Sequence, residues 1–393
     1  MTKSSLLVEG FDEALTVTDL SLATARTRLA DMCRRQRGRY IVVASSGTTG
    51  EPAIMPFSRH DWRTGMAYML RSSDMATRGM ADHTASILDV IKERPRLAGI
   101  STLNPIHVSS QLAASFHSGL VPSLILPASM PLDEQVEQLN CFQPTILGAY
   151  PSALDLLVEA AVDGGLKISP MLIFTGGETV TVGIRRRVQQ VWGRALFDFY
   201  GLAETLIIAG ECREHKGLHL YEDAVVLEVV DENGQVLPPG ERGAGILVTS
   251  LINKTLPIIR YAVSDLITLS DEPCPCGLPF RRILAIEGRR EELLRLRKPD
   301  GKTVRVHPFV IESPIEEMAS VRRFQISSDE RGDVVIVVVP ANDEAGLSAR
   351  VTTAVAMALR PLGLKDDVIH VKMVTSIESQ RSSTDKLIRV QSS

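Results

Sequence analysis

The stretch Ser45-Ser46-Gly47-Thr48-Thr49-Gly50-Glu51-Pro52 directly follows the apolar run Tyr40-Ile41-Val42-Val43-Ala44. Residues of these types can hold a phosphate chain. Glycines let backbone N–H groups approach an anion closely, and Ser and Thr hydroxyls add neutral donors that follow a pyrophosphate through a reaction. No Gly-Lys-Ser/Thr follows, so this is not the lysine-bearing nucleotide loop. Small polar residues between strands are also ordinary turn chemistry, so the meaning of the loop depends on what stands downstream.

A second set carries different chemistry. Cys212, His219, Cys274 and Cys276 could surround Zn²⁺ tetrahedrally, with three thiolates and one imidazole. Cys274-Pro275-Cys276 is spaced more tightly than the usual knuckle, His215 is an alternative fourth ligand, and reduced, half-buried cysteines are the plain alternative. A full set of protein ligands, far in sequence from the phosphate-type loop, argues a structural ion. The five cysteines (33, 141, 212, 274, 276) are odd in number in a large chain, which speaks against a disulfide framework.

Further motifs follow in order: Thr175-Gly176-Gly177-Glu178; Asp198-Phe199-Tyr200-Gly201-Leu202-Ala203-Glu204-Thr205; Pro257-Ile258-Ile259-Arg260-Tyr261 leading to Asp265; Gly288-Arg289-Arg290-Glu291; and Thr384-Asp385-Lys386. In this collinear series the chain resembles the adenylate-forming enzymes from about residue 40 onward. Gly217-Leu218-His219 before Glu222-Asp223, Cys274-Pro275-Cys276-Gly277, and Val306-His307-Pro308 leading to Glu312 resemble the phenylacetate-CoA ligase branch.

The resemblance implies that a carboxylic acid, aromatic or otherwise compact and apolar, attacks ATP to give an acyl-AMP and pyrophosphate. The acyl group then passes to coenzyme A; an amine or a carrier-protein thiol is the alternative acceptor. A nucleotide-binding regulatory protein without turnover is the alternative of another class. ATP, Mg²⁺ and CoA are the implied cofactors. Ser45, Ser46, Gly47, Thr48, Thr49 and Gly50 would hold the β and γ phosphates, and Glu204 would anchor Mg²⁺, since a hard cation prefers carboxylate oxygen. Gly177 and Glu178 would flank adenine, Tyr200 beside Gly201 would cover an adenine face, and Thr205 would lie near the α-phosphate. Asp265 and Arg289 would contact the ribose. Lys386 would be the catalytic group, a mobile ammonium that follows developing charge once a C-terminal domain closes. Asp385 stands where the family commonly has Gly, and Glu291 where Asp is commoner, in a hinge over 288–291. His107 and His117 fall in the region where relatives shape the acyl pocket. Taken singly, these residues also read as turn formers, core aromatics and solvated charges.

The elements that must position them are read from periodicity. Strands are expected at 85–90, 120–126, 145–147 and 171–175, with helices at 132–139, 152–162 and 184–192, an alternation that makes a layered α/β sheet. From 218 to 269 the pattern is β-rich, and 225–230 with the turn 231–234 predicts a hairpin. After Gly288 the order β-α-β-β-α-β, beginning at 304–306, spells a ferredoxin-like unit. The expected organisation is therefore a large domain over 1–288, with a β-rich subdomain about 206–287, and a small mobile domain over 289–393.

The 393 residues, 44% hydrophobic, suffice for sizeable cores, and a net charge of −4 gives no footprint for nucleic acid. No apolar stretch approaches a membrane span and residues 1–10 lack a signal-peptide pattern, so a cytoplasmic protein is expected. Relatives usually have a longer region before the Tyr40 position, so part of the acyl pocket or of a homodimer surface is expected to be missing or rebuilt.

Overall fold

Strand β1 (Tyr40–Ala44) is buried along its whole length and pairs antiparallel with β2 (Ile54–Ser58), so both strands read as continuous apolar runs rather than alternations. The computed structural model describes residues 10–30, 38–45, 53–77, 95–116, 121–289, 294–306, 308–316, 318, 320–329, 331–342, 344–377 and 390–391. These fall into two compact units; most of the first is the chain up to Ile286, and most of the second is the chain from Glu287 onward.

In the first unit, helices α1 (Phe11–Ala14) and α2 (Leu22–Ala30) precede β1, and α3 (Arg59–Thr77) follows β2. The start of α3 is fixed by a reciprocal cap: Asp61 N–H donates to Ser58 Oγ (3.1 Å) while Ser58 N–H donates to Asp61 Oδ2 (3.2 Å). Then come β3 (Leu97–Ser101), α4 (Val108–Phe116), β4 (Ser123–Pro127), α5 (Leu132–Phe142), β5 (Ile146–Ala149), α6 (Pro151–Val162), β6 (Leu172–Gly176), α7 (Val182–Trp192) and β7 (Leu196–Tyr200). The β3/β4, β3/β5, β5/β6 and β6/β7 pairs are all parallel, as strands joined through helices must be. The antiparallel strands β8 (Ala209–Glu211) and β9 (Leu218–Leu220) continue this sheet. The expected strand at 85–90 lies outside the described residues.

Strand β10 (Val225–Val230) is where the alternating apolar pattern puts it, but the following residues do not return as a full strand. Only a single bridge, Val230 to Val236, forms there; the partner is β11 (Gly245–Ser250), beyond Pro238-Pro239-Gly240. Prolines cannot donate to a ladder, so pairing resumes only past them. Strand β12 (Tyr261–Val263) completes this three-stranded sheet. Strands β13 (Asp265–Ser270) and β14 (Arg282–Arg289) rejoin the large sheet, whose order is β13-β14-β9-β8-β7-β6-β5-β3-β4.

The second unit is a small α+β layer. A hairpin of β15 (Leu294–Arg297) and β16 (Thr303–Val306) precedes α8 (Pro308–Glu316), β17 (Val321–Ser328), β18 (Val334–Pro340), α9 (Leu347–Leu359), β19 (Ile369–Met373) and β20 (Val390–Gln391). The four-stranded sheet runs β19-β18-β17-β20. Residues 304–306, expected as its first strand, instead pair with β15, and the place beside β17 is taken by β20 in parallel. The sequence at 294–297 carries its own alternation of buried and exposed residues, which makes a local antiparallel partner available. Among the described residues no helix is long and apolar enough to cross a membrane.

Candidate active site and thiol group

Strands β6 and β7 deliver their motifs to the same end of the sheet, since the register places Gly176 opposite Phe199. Gly177 then turns the chain with φ of 79°, in the left-handed region that suits glycine, and Gly201 stands where a Cβ would lie 2.1 Å from the Leu206 carbonyl oxygen. That close approach closes a tight turn: Leu206 N–H donates to Leu202 O (2.8 Å) and Ile208 N–H to Tyr200 O (2.8 Å). The turn holds Glu204 and Thr205, both buried. Among the described residues the Thr205 hydroxyl has no hydrogen-bond partner.

Two phenols orient the carboxylates here. Tyr200 Oη donates to Asp265 Oδ2 at 2.5 Å, joining positions 65 residues apart. Tyr261 donates its hydroxyl to Glu204; burial first, and then the Glu204 charge, hold the Tyr261 proton well above the ordinary phenol range. A carboxylate offers about four lone-pair sites, so one phenol fixes its direction without filling it. Tyr200, Glu204, Thr205 and Asp265 are therefore brought together. Glu178 faces differently: its carboxylate accepts from Ser152 N–H (2.9 Å) and Ser152 Oγ (3.0 Å), closing the N-terminus of α6 behind Pro151.

On the other side, Ser45 sits at the base of the 46–52 loop. Its N–H donates to Ala53 O (2.9 Å) and its Oγ accepts from Ala53 N–H (2.9 Å), which joins the two described residues on either side of 46–52. Ser46, Gly47, Thr48, Thr49, Gly50 and Lys386 lie outside the described residues, as do His117 and residues 290 and 291 of the expected hinge; Arg289 is described only as the last residue of β14. His107 is buried, and its backbone bridges to Ala44 at the end of β1. Tyr150, at the end of β5, is buried with its hydroxyl 2.9 Å from Ser109 Oγ.

One strand further, the thiol group assembles. Cys212 follows β8, His219 is the middle residue of β9, and Cys274 and Cys276 come from the loop between β13 and β14. Their ligand atoms all lie within 4.8 Å of one another. Burial pushes the Cys212 thiol up to about 12 and holds the His219 imidazole below its usual value. His215, the alternative ligand, is engaged elsewhere: its Nδ1 lies 3.2 Å from Glu211 Oε1 and its ring lies 4.8 Å from that of Phe197.

Three residues escaped the sequence reading of the site. Tyr261 was visible within the Arg260-Tyr261 motif, but its tie to Glu204 is a tertiary contact. Ser152 as the partner of Glu178 was signalled only by its place after Pro151 at a helix start. Tyr221, which shares a 2.6 Å hydrogen bond with Ser72 behind the thiol group, gave no signal beyond being aromatic.

Comparison with known proteins gives a consistent picture. Residues 33–250, more than half of the chain, match the family described as AMP-binding enzyme. A phenylacetate-coenzyme A ligase of Thermus thermophilus is 27% identical over 340 residues, covering 84% of this chain and 69% of that protein. A phenylacetate-coenzyme A ligase of Pseudomonas putida is 30% identical over 287 residues, and the match spans 69% of this chain but only 58% of the relative. Among solved structures, 2-hydroxyisobutyryl-CoA ligase in the postadenylation state with 2-HIB-AMP superposes with a TM-score of 0.70 at 19% identity, covering 98% of this chain and 81% of the other. The anthranilate CoA ligase AuaEII with anthranoyl-AMP gives a TM-score of 0.60 at 15% identity, covering 88% and 64%. At those identities the likeness to the solved structures is one of fold.

Proposed function

The chain belongs to the AMP-binding enzyme family, and from that premise we propose that it activates a small carboxylic acid with ATP, releases pyrophosphate, and passes the acyl group to the thiol of coenzyme A. The observation that carries this reading is the junction of Tyr200 with Asp265 at the carboxyl end of β7, beside the turn that buries Glu204 and Thr205. Open α/β sheets bind nucleotides at that end of their strands.

Each residue then has a step. The backbone of the Ser45 to Gly50 loop donates to the β and γ phosphates; Ser45 Oγ accepts from Ala53 N–H, a contact that does not use the hydroxyl proton. Tyr200 covers adenine while its hydroxyl fixes Asp265 toward the ribose, with Arg289 as the second ribose contact. Gly177 lets the chain pass flat beside the base. A buried carboxylate next to a buried hydroxyl with no partner is an oxygen donor set suited to a hard cation, so Glu204 would hold Mg²⁺. When bound, that ion neutralises charge on the phosphates. Lys386 closes over the α-phosphate and the attacking carboxylate, where positive charge stabilises the transition state. The hinge at 288–291 then turns the small domain so that the acceptor thiol can enter; Gly288, with φ of 98°, supplies the backbone freedom.

The acid is proposed to be aromatic, as the names of the phenylacetate and anthranilate relatives support. We place the reaction in the cytoplasm, where ATP and CoA are at hand, with a homodimer as the expected assembly.

The test is ATP–pyrophosphate exchange across a panel of aromatic and short aliphatic acids, followed by product mass with CoA, amines or a carrier protein as acceptor. Acid-dependent exchange and an acyl-CoA product support the reading. An amide or a carrier-bound product would reassign the acceptor, and an absence of exchange with every acid would overturn it.

A further inference from the structure

We propose that Cys212, His219, Cys274 and Cys276 bind one zinc ion through three sulfurs and His219 Nε2, and that this ion clamps the 271–281 loop onto the β8–β9 hairpin beside the strand that carries Tyr200. The argument stands apart from the ligase reading, since it rests on other residues.

The first ground is dimensional. Tetrahedral zinc with Zn–S of about 2.3 Å and Zn–N of about 2.0–2.1 Å requires its sulfurs to lie about 3.8 Å apart and each sulfur about 3.5 Å from the nitrogen. Cys212 Sγ and Cys274 Sγ lie 3.8 Å apart, and Cys276 Sγ lies 3.3 Å from His219 Nε2. A disulfide would need the sulfurs at about 2 Å, and all three cysteines are free.

The second ground is the setting of the sulfurs. The Leu278 N–H points at Cys276 Sγ (3.5 Å) and the Glu214 backbone N–H at Cys212 Sγ, each from two residues further along the chain. Both loops turn back tightly: His215 N–H donates to Cys212 O (3.1 Å) and Gly277 N–H to Cys274 O (3.0 Å). Backbone donors aimed at sulfur hold each sulfur in direction, as the outer partners of metal ligands do. A merely apolar cysteine cluster has no use for such donors, nor for an imidazole that is 0% exposed and directed at one of the thiols.

Ligand type and number settle the rest. Three soft sulfurs and one imidazole select zinc over the oxygen-seeking Mg²⁺ or Ca²⁺. Four protein ligands leave no open position, so the ion is structural. His215 is ruled out as the nitrogen donor by its pairing with Glu211.

The clamp also has mechanical work to do. The β14 strand meets β9 through only two residue pairs, Arg282 with His219 and Ile283 with Leu218, and β7 meets β8 through only two, Phe199 with Gly210 and Tyr200 with Ala209. Ladders this short hold weakly. A bond from Cys212, the residue after β8, across His219 to the 271–281 loop ties β8, β9 and the entry to β14 together.

The experiment measures metal in the full-length protein prepared without chelators, then replaces it. Elemental analysis should give about one zinc per chain. Stripping the metal and adding Co²⁺ should give the strong visible and near-ultraviolet bands of tetrahedral cobalt bound to thiolate. Cys274→Ser and His219→Ala should each lower zinc content at least about tenfold, as loss of one of four ligands does, whereas His215→Ala should retain it. A chelator should lower the thermal midpoint of the parent protein but not that of Cys274→Ser. The parent protein's zinc content and cobalt spectrum decide the matter even if a variant fails to fold. No zinc together with no tetrahedral cobalt spectrum would overturn the proposal. So would full retention in the Cys274 and His219 variants, or a mass showing a Cys212–Cys274 disulfide.

Discussion

The turn after β7 and the thiol group beyond β8 sit on neighbouring strands and bury comparable amounts of polar chemistry, but they satisfy it by different means. At the turn, carboxylates are met by phenol donors: Tyr200 on Asp265 and Tyr261 on Glu204. Each carboxylate is held in direction while keeping capacity for a ligand. In the thiol group the polar atoms face one another across 3.3 and 3.8 Å. The first arrangement suits ligands that come and go, and the second suits an ion that stays. The contrast fits the proposed division, chemistry on the oxygen side and architecture on the sulfur side.

The largest effect that could break this division is expected at Lys386. Lys386→Ala should slow pyrophosphate exchange by roughly a hundredfold or more, about 3 kcal/mol of transition-state stabilisation, with ATP affinity and zinc content little changed. Near parental exchange would remove Lys386 from the reaction. Next, Tyr261→Phe leaves a buried Glu204 without its phenol donor, a charged hydrogen bond of about 1.5–3 kcal/mol. Exchange should fall about tenfold and the Mg²⁺ concentration for half-activity should rise; a loss of zinc instead would mean that the two clusters are one unit.

Tyr200→Phe keeps the aromatic face and deletes the 2.5 Å bond to Asp265. It should raise KM for ATP by up to about tenfold with a smaller change in kcat, because a ribose contact made in ground and transition states alike is uniform binding. A kcat loss at unchanged KM would assign the pair to the chemical step. The smallest effect lies on the sulfur side. Burial pushes the Tyr221 hydroxyl up to about 12 from an ordinary 10.0. Because the folded chain keeps this proton longer than the unfolded one, the contribution to stability is whole below about pH 10 and is lost as pH rises toward about 12. Tyr221→Phe should cost about 1 kcal/mol at neutral pH through the lost Ser72 bond. Denaturant titrations between pH 9 and 11 should show a shallower alkaline decline in the variant; an unchanged slope would place the titration elsewhere.

Much of this was legible before any fold was known, and the pattern of what was not is instructive. The Gly177 and Tyr200-Gly201 turns could be read because their chemistry is local: a glycine is needed where φ is 79° or where a Cβ would strike a carbonyl 2.1 Å away. Residue type alone named the thiol set, since three cysteines and a histidine have few other collective uses. The helix expected at 152–162 was likewise written in a short-range pattern, and it starts at Pro151. The sequence could not show that Val304 to Val306 pairs with Leu294 to Arg297 rather than joining the four-stranded sheet. An alternating run is equally fit for any partner, and the choice rests on which edge is near.

By itself, then, the order of residues determined which groups could react, bind phosphate or take a metal, because those are properties of side chains and of a few adjacent backbone angles. Tertiary structure decided which of them meet. It set Tyr261 on Glu204, joined Glu178 to Ser152 at the N-terminus of α6, and paired His215 with Glu211 while bringing His219 Nε2 to Cys276 Sγ. Such choices depend on contacts between positions tens of residues apart, whose distances are fixed only when burial of the apolar strands has put the sheet in register.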